Sequence, residues 1–135
     1  MKLSVNTLNM LLIAAVGGGL GTVSRFVISY IANKKMTGPF PYGTFAVNIA
    51  GCFLIGLLAM FIEKLSLPSA FQLFFITGFL GAFTTFSTFS LETFSLWQNG
   101  HIKTAAMNVL AGNLFGIVAV FVGMYSAELI LKLHS

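Results

Sequence analysis

Charge is scarce in this chain. Only 7% of its 135 residues are Asp, Glu, Lys or Arg, against about a quarter in soluble domains, which excludes an ordinary water-soluble globule. Cysteine is nearly absent: Cys52 stands alone, so an intrachain disulfide is excluded, and small-residue packing is its expected role. Also missing are a phosphate-binding loop, a nucleophile–base pair and clustered metal ligands, while His101 and His134 both fall outside the apolar stretches. ATP-driven work and enzymatic catalysis are therefore not expected. No linker, low-complexity tail or clear repeat divides residues 1–135, which read as one domain. The net charge of +4 sits in no soluble basic patch and gives no reason to expect a nucleic-acid partner.

What is present is apolar. Hydrophobic residues make up 57% of the chain, gathered in four stretches at about 8–32, 43–62, 69–98 and 104–131. Each is long enough to cross a hydrocarbon core about 30 Å thick. Lipid offers the backbone no hydrogen-bond partners, so spans must be helices or closed barrels. The stretches are apolar all round, without the roughly ten-residue alternation of barrel strands. The fold class expected is an all-α membrane protein of four transmembrane helices. A cleaved leader is the other reading of the first stretch, because Lys2 precedes it; but the run continues through Arg25 without a small-x-small cleavage site.

The connections are short. Gly38, Pro39 and Pro41 stiffen the first, Pro68 is placed to open the third helix, and Asn99-Gly100 to stop it. With four spans, Lys2, Lys64 and Lys132 share one side of the membrane, and Lys34, Lys35 and Lys103 the other. Lys/Arg asymmetry sets orientation, and here there is none. Insertion both ways, giving antiparallel dimers, is the expectation; the competing reading is that Arg25 breaks the tie.

Several polar groups sit inside the apolar stretches. Arg at mid-helix costs about 2.5–3.5 kcal/mol on insertion scales. Arg25 is open to two readings: snorkelling to the interface, or a positive field or strut within the protein. Gly17/Gly21 and Gly112/Gly116 form GxxxG pairs, the signature of close helix packing. Asn48 and Asn113 are either interhelical hydrogen-bonders or amide donors to an anion. Glu92 is either an end-of-helix charge near water or part of a polar site. The run Gly81-Ala-Phe-Thr-Thr-Phe-Ser-Thr-Phe-Ser90 concentrates hydroxyls and phenyl rings in the third span. Hydroxyl and amide donors can replace the water shell of a small anion, and phenyl edges are positive. Such sites bind without trapping, as conduction requires. From spacing alone, core packing is the stronger account of the rings, since the chain holds 15 Phe. Gly78, Gly81 and the following threonines also read as a helix interruption. Carbonyls freed there, near a two-fold axis, would suit a cation such as Na⁺.

Gly17-Gly-Gly-Leu-Gly21 with Arg25, Gly43-Thr44-Phe-Ala-Val-Asn48, and Thr85-Phe-Ser-Thr-Phe-Ser90 with Glu92 follow one another on the four spans. On these motifs the chain resembles the Fluc-type fluoride channel family, the small bacterial fluoride exporters, over nearly its whole length. The resemblance implies an antiparallel dual-topology homodimer in the bacterial inner membrane, with two fluoride pores. Phe86 of one subunit and Phe89 of the other would line each pore. Asn48 would be a donor, Ser87 and Thr88 would extend a hydroxyl track, and Arg25 and Glu92 would lie near vestibules. Carbonyls of Gly81 and Thr84, at a break in the third helix, would hold one structural Na⁺. The family often carries Ser or Thr where Ile117 stands here; Asn113, one turn earlier, is the candidate to take over. Export would be passive: HF entering from acidic surroundings ionises in the cytoplasm, and the anion leaves down the membrane potential.

Two other classes fit the sequence less well. A small multidrug exporter needs a carboxylate embedded in its first span, and that span here has Arg25 and no acid. A non-transporting membrane scaffold leaves the hydroxyl and Phe ladder and the balanced charges without a role.

Overall fold

A computed structural model describes residues 4–133; Lys2 and His134, counted above, lie outside the described residues. Among the described residues, four helical segments are long and apolar enough to cross a membrane: Val5–Lys35, Tyr42–Leu65, Ser69–Gln98 and Ile102–Leu133. The protein is an all-helical, multi-pass membrane protein.

Helix α1 (Val5–Lys35) opens on Ser4, whose hydroxyl accepts the Thr7 N–H at 3.2 Å, and closes with Lys34 and Lys35 in its last turn. Both choices complement the helix ends, by capping an orphan donor and by placing cations at the negative pole. Helix α2 (Tyr42–Leu65) ends at Ser66, which takes the left-handed conformation and returns its N–H to Ile62 O. The third span is composite. A short α3 (Ser69–Gln72), preceded by Pro68, runs into a π-helical stretch, Leu73–Leu80, and then α4 (Gly81–Phe83). Thr84 and Thr85 follow with extended backbone (ψ 156° and 116°), and α5 (Phe86–Gln98) resumes. Gly100 at φ 79° and the His101 N–H bonded to Leu96 O at 2.8 Å terminate α5, a left-handed stop that glycine accommodates without a Cβ clash. Helix α6 (Ile102–Leu133) completes the chain.

Glycine sets the closest approaches. A Cβ on Gly17 would meet Phe74 O, and one on Gly21 would meet Phe79 O, so α1 lies backbone against backbone on the π-helical stretch. Gly56 and Gly123 do the same between α2 and α6, against Val120 O and Phe53 O. The second GxxxG pair serves differently: Gly112 leaves room for the Phe89 ring and Gly116 meets Cys52 Sγ at ordinary contact distance. Small residues thus let helices close without a hydrophobic driving force. Gly21→Ala is expected to push α1 off the third span, at about 1–3 kcal/mol of overpacking. Thermal unfolding in detergent should show a lowered Tm, with Gly19→Ala unchanged because a Cβ there meets nothing within 4 Å.

The buried core is small: Val47, Leu80 and Phe83, with Leu54, Ile55, Leu58, Ile76 and Phe79 packed around it. Large apolar side chains such as Phe26, Leu110 and Phe121 lie about seven-tenths exposed on the chain's outside. In water such a surface would aggregate; against lipid or another apolar surface it is satisfied.

Candidate functional site

The extended pair Thr84–Thr85 organises the site. Asn48, half-buried in α2, grips Thr85 twice: its Nδ2 donates to Thr85 O at 3.2 Å and its Oδ1 accepts the Thr85 N–H at 2.9 Å. One amide proton of Asn48 remains beyond that clamp. The Thr85 hydroxyl accepts the Thr88 N–H at 3.2 Å, capping α5, and donates to Thr88 Oγ1 at 3.0 Å. Ser87 Oγ lies 3.3 Å from the same hydroxyl. Thr84 turns inward, its N–H and its hydroxyl both donating to Leu80 O at 3.1 and 3.0 Å.

A cleft of about 320 Å³ opens beside this pair, lined by Asn48, Thr85, Phe86, Phe89 and Asn113 among others. The Phe86 and Phe89 rings stand 5.8 Å apart, centroid to centroid, tilted by 35°. Phe89 is wedged against Gly112, whereas Phe86 is 78% exposed within one chain. Cys52 and Gly81 share the lining. Asn113 is exposed, with Nδ2 bonded to Val109 O of its own helix at 2.7 Å, and Ile117, one turn on, is 60% exposed and apolar. Thus Asn48, Thr85, Phe86, Phe89 and Asn113 come together on the cleft, whereas Ser87 and Thr88 are not part of its lining and join it only through the Thr85 hydroxyl.

Arg25 and Glu92 lie elsewhere. Arg25 Nε donates to Ala82 O at 3.1 Å, which favours the strut over snorkelling. Glu92 Oε1 accepts from the Thr44 hydroxyl at 2.9 Å; its Oε2 is buried without a protein partner. Glu92 lines a second space, of about 540 Å³, together with Asn33, Tyr42, Ser95 and His101. Thr44 stands one helical turn before Asn48 in the Gly43–Asn48 motif, and that spacing is the sequence signal for its place beside Glu92. Asn108 lies outside the sequence motifs; it is fully buried in α6 and donates to Thr93 Oγ1 at 2.8 Å. An amide in an apolar span was the signal there too. Ser90, Thr93 and Ser95 send their hydroxyls to carbonyls four residues back, so they are satisfied within α5.

The carbonyls of Gly81 and Thr84, expected as cation ligands, sit where the helical ladder is interrupted. In a continuous helix Thr85 N–H would serve Gly81 O, and Thr88 N–H would serve Thr84 O. Here the first goes to Asn48 and the second to the Thr85 hydroxyl. Both candidate carbonyls are therefore relieved of their helical donors, the chemistry a hard cation requires.

Fold and site together define a helical membrane protein whose apolar body carries a cleft, lined mainly by apolar side chains and phenyl rings with a few amides and hydroxyls among them. The chain belongs to the CrcB-like protein family (camphor resistance, CrcB), whose family model matches residues 12–124. It is 42% identical to a fluoride-specific ion channel FluC of Dehalococcoides mccartyi over 121 residues, covering 89% of this chain and 93% of the relative. Similar proteins of the same name occur in Azobacteroides pseudotrichonymphae, 40% identical over 90% of this chain and 98% of the relative, and in Magnetococcus marinus, 42% identical over 86% and 95%. These relatives are named as ion channels, a family that is not enzymatic.

Proposed function

We propose that this chain is a fluoride-selective channel that lowers cytoplasmic fluoride by passive export across the bacterial inner membrane. The observation that carries the reading is its 42% identity, over nearly nine-tenths of its length, to relatives named as fluoride-specific channels. The site supports it: the cleft gathers the amides of Asn48 and Asn113, the hydroxyls of Thr84 and Thr85, and phenyl rings including those of Phe86 and Phe89, but no Lys or Arg that would trap an anion. Helix α5 also begins there, and the positive pole of a helix favours an anion. In this reading the remaining amide proton of Asn48, the edges of Phe86 and Phe89, and the hydroxyls of Ser87 and Thr88 replace water around fluoride step by step. Asn113 supplies the α6 donor where Ile117 cannot. Arg25 and Glu92 stand near vestibules of the pathway.

The assembly proposed is an antiparallel, dual-topology homodimer with two pores, each using Phe86 from one subunit and Phe89 from the other. The exposure of Phe86 supports a partner at that ring. The Thr84–Thr85 pair serves as the break in the third helix, and carbonyls of Gly81 and Thr84 hold a structural Na⁺ near the two-fold axis; that ion would tie the subunits together rather than travel with fluoride.

Fluoride and chloride efflux from liposomes containing the purified chain, with a potassium ionophore to dissipate voltage, tests the function. Rapid fluoride loss with chloride retained is expected; intact, assembled protein that releases no fluoride refutes it. For the topology, C-terminal reporters active on opposite sides of the membrane should both give signal in comparable amounts. Signal from one reporter alone rules out dual insertion.

A further inference from the structure

The carbonyls at the end of α4 are where the third span leaves its helical ladder, and each is reached in a different way. Leu80 O takes both the N–H and the hydroxyl of Thr84. The donor that Gly81 O would have had is held by Asn48. Ala82 O would have served Phe86 N–H in an unbroken helix; instead it accepts from Arg25 Nε at 3.1 Å, across 57 residues of sequence. Arg25 is half-buried on α1 and makes no ion pair among the described residues. Its neighbours Gly17 and Gly21 hold α1 backbone-to-backbone against the π-helical stretch, which brings the guanidinium to Ala82 at a fixed reach. Asn48 closes on Thr85 from α2. The extended pair is thus held at one end by α1 and at the other by α2, immediately ahead of Phe86.

We propose that Arg25 is a positioning residue whose Nε–H bond to Ala82 O, rather than its charge, fixes the end of α4 and so places Phe86 and Phe89. Resting on the channel reading above, this separates a local hydrogen bond from a long-range electrostatic role. The two make opposite predictions, because Gln carries an N–H donor at the same number of bonds from Cα as Arg Nε but no charge. Lys keeps the charge and has a methylene at that point.

The test is fluoride and chloride efflux, per assembled protein, of wild type, Arg25→Gln, Arg25→Lys and Arg25→Met. Arg25→Gln should stay within about threefold of wild type, while Arg25→Lys and Arg25→Met fall about tenfold or more and discriminate less against chloride. If the latter two fail to assemble and Arg25→Gln assembles, the same order is read from assembly and supports the proposal. Arg25→Lys at the wild-type rate with Arg25→Gln slow, or Arg25→Gln as impaired as Arg25→Met in flux or assembly, overturns it. Should the wild type itself conduct no fluoride, the channel reading fails alone. The order of the four proteins in thermal unfolding then decides the role of the Nε–H bond to Ala82 O, with Arg25→Gln closest to wild type supporting it and any other order refuting it.

Discussion

Replacing Phe86 or Phe89 by isoleucine is expected to lower fluoride efflux while leaving the protein assembled. Isoleucine keeps much of the volume and all of the apolarity but has no ring edge. Aromatic edge interactions are worth about 0.5–1.5 kcal/mol, and about 1.4 kcal/mol is a factor of ten in rate, so each ring should account for about two- to tenfold. The two positions are not equivalent. Phe89 fills the space that Gly112 leaves, so its loss also opens a packing gap. Phe86 is 78% exposed within one chain, and intrachain packing contributes little there. A lowered flux in Phe86→Ile, measured by efflux on protein that elutes as wild type, therefore speaks for the ring edge. Unchanged flux in both variants would leave the rings as packing alone.

The largest effect belongs to Asn48→Asp. The amide serves Thr85 with a donor and an acceptor at once, at 3.2 and 2.9 Å. A carboxylate keeps the acceptor and loses the donor, so two oxygens then face one another at Thr85 O. An unmade buried hydrogen bond costs about 1–3 kcal/mol, more where a charge is involved. The same substitution places a negative charge on the lining of the cleft, on the anion path proposed above. Fluoride efflux should fall to the level of empty liposomes. Full activity would remove Asn48 from the pathway. Asn48→Asp that assembles normally but does not conduct would separate repulsion of the anion from collapse of the Thr85 clamp.

Much of this molecule could be read from patterning because lipid imposes one rule on every span: apolar outside, backbone satisfied inside. The four apolar stretches anticipate α1, α2, the composite third span and α6, with ends a few residues short where Ser4 caps α1 and Lys34 and Lys35 join its last turn. Polar residues at a helix end look like loop in a hydropathy reading, although they belong to the helix that they complete. The π-helical stretch Leu73–Leu80 was not legible, since its apolar residues would suit an α-helix equally well. Nor were the pairings. Arg25, Asn48 and Thr84 all find backbone carbonyls, and a carbonyl carries no residue identity to search for. Thr44 with Glu92 and Asn108 with Thr93 are side-chain pairs, but each joins different spans and depends on the helix rotations that the glycines set. The second GxxxG pair shows the limit of a motif: the same spacing that brings α1 onto the third span at Gly17 and Gly21 makes room for a ring and a thiol at Gly112 and Gly116.

The central claim is that fluoride moves alone and passively, and the reversal potential of single-channel or macroscopic current in a planar bilayer tests it most directly. Under a tenfold fluoride gradient the current should reverse about 59 mV from zero at room temperature, as for one monovalent charge, and neither a chloride gradient nor a pH gradient should move that value. Reversal that follows chloride or protons, or the absence of current from protein known to be inserted, would contradict it.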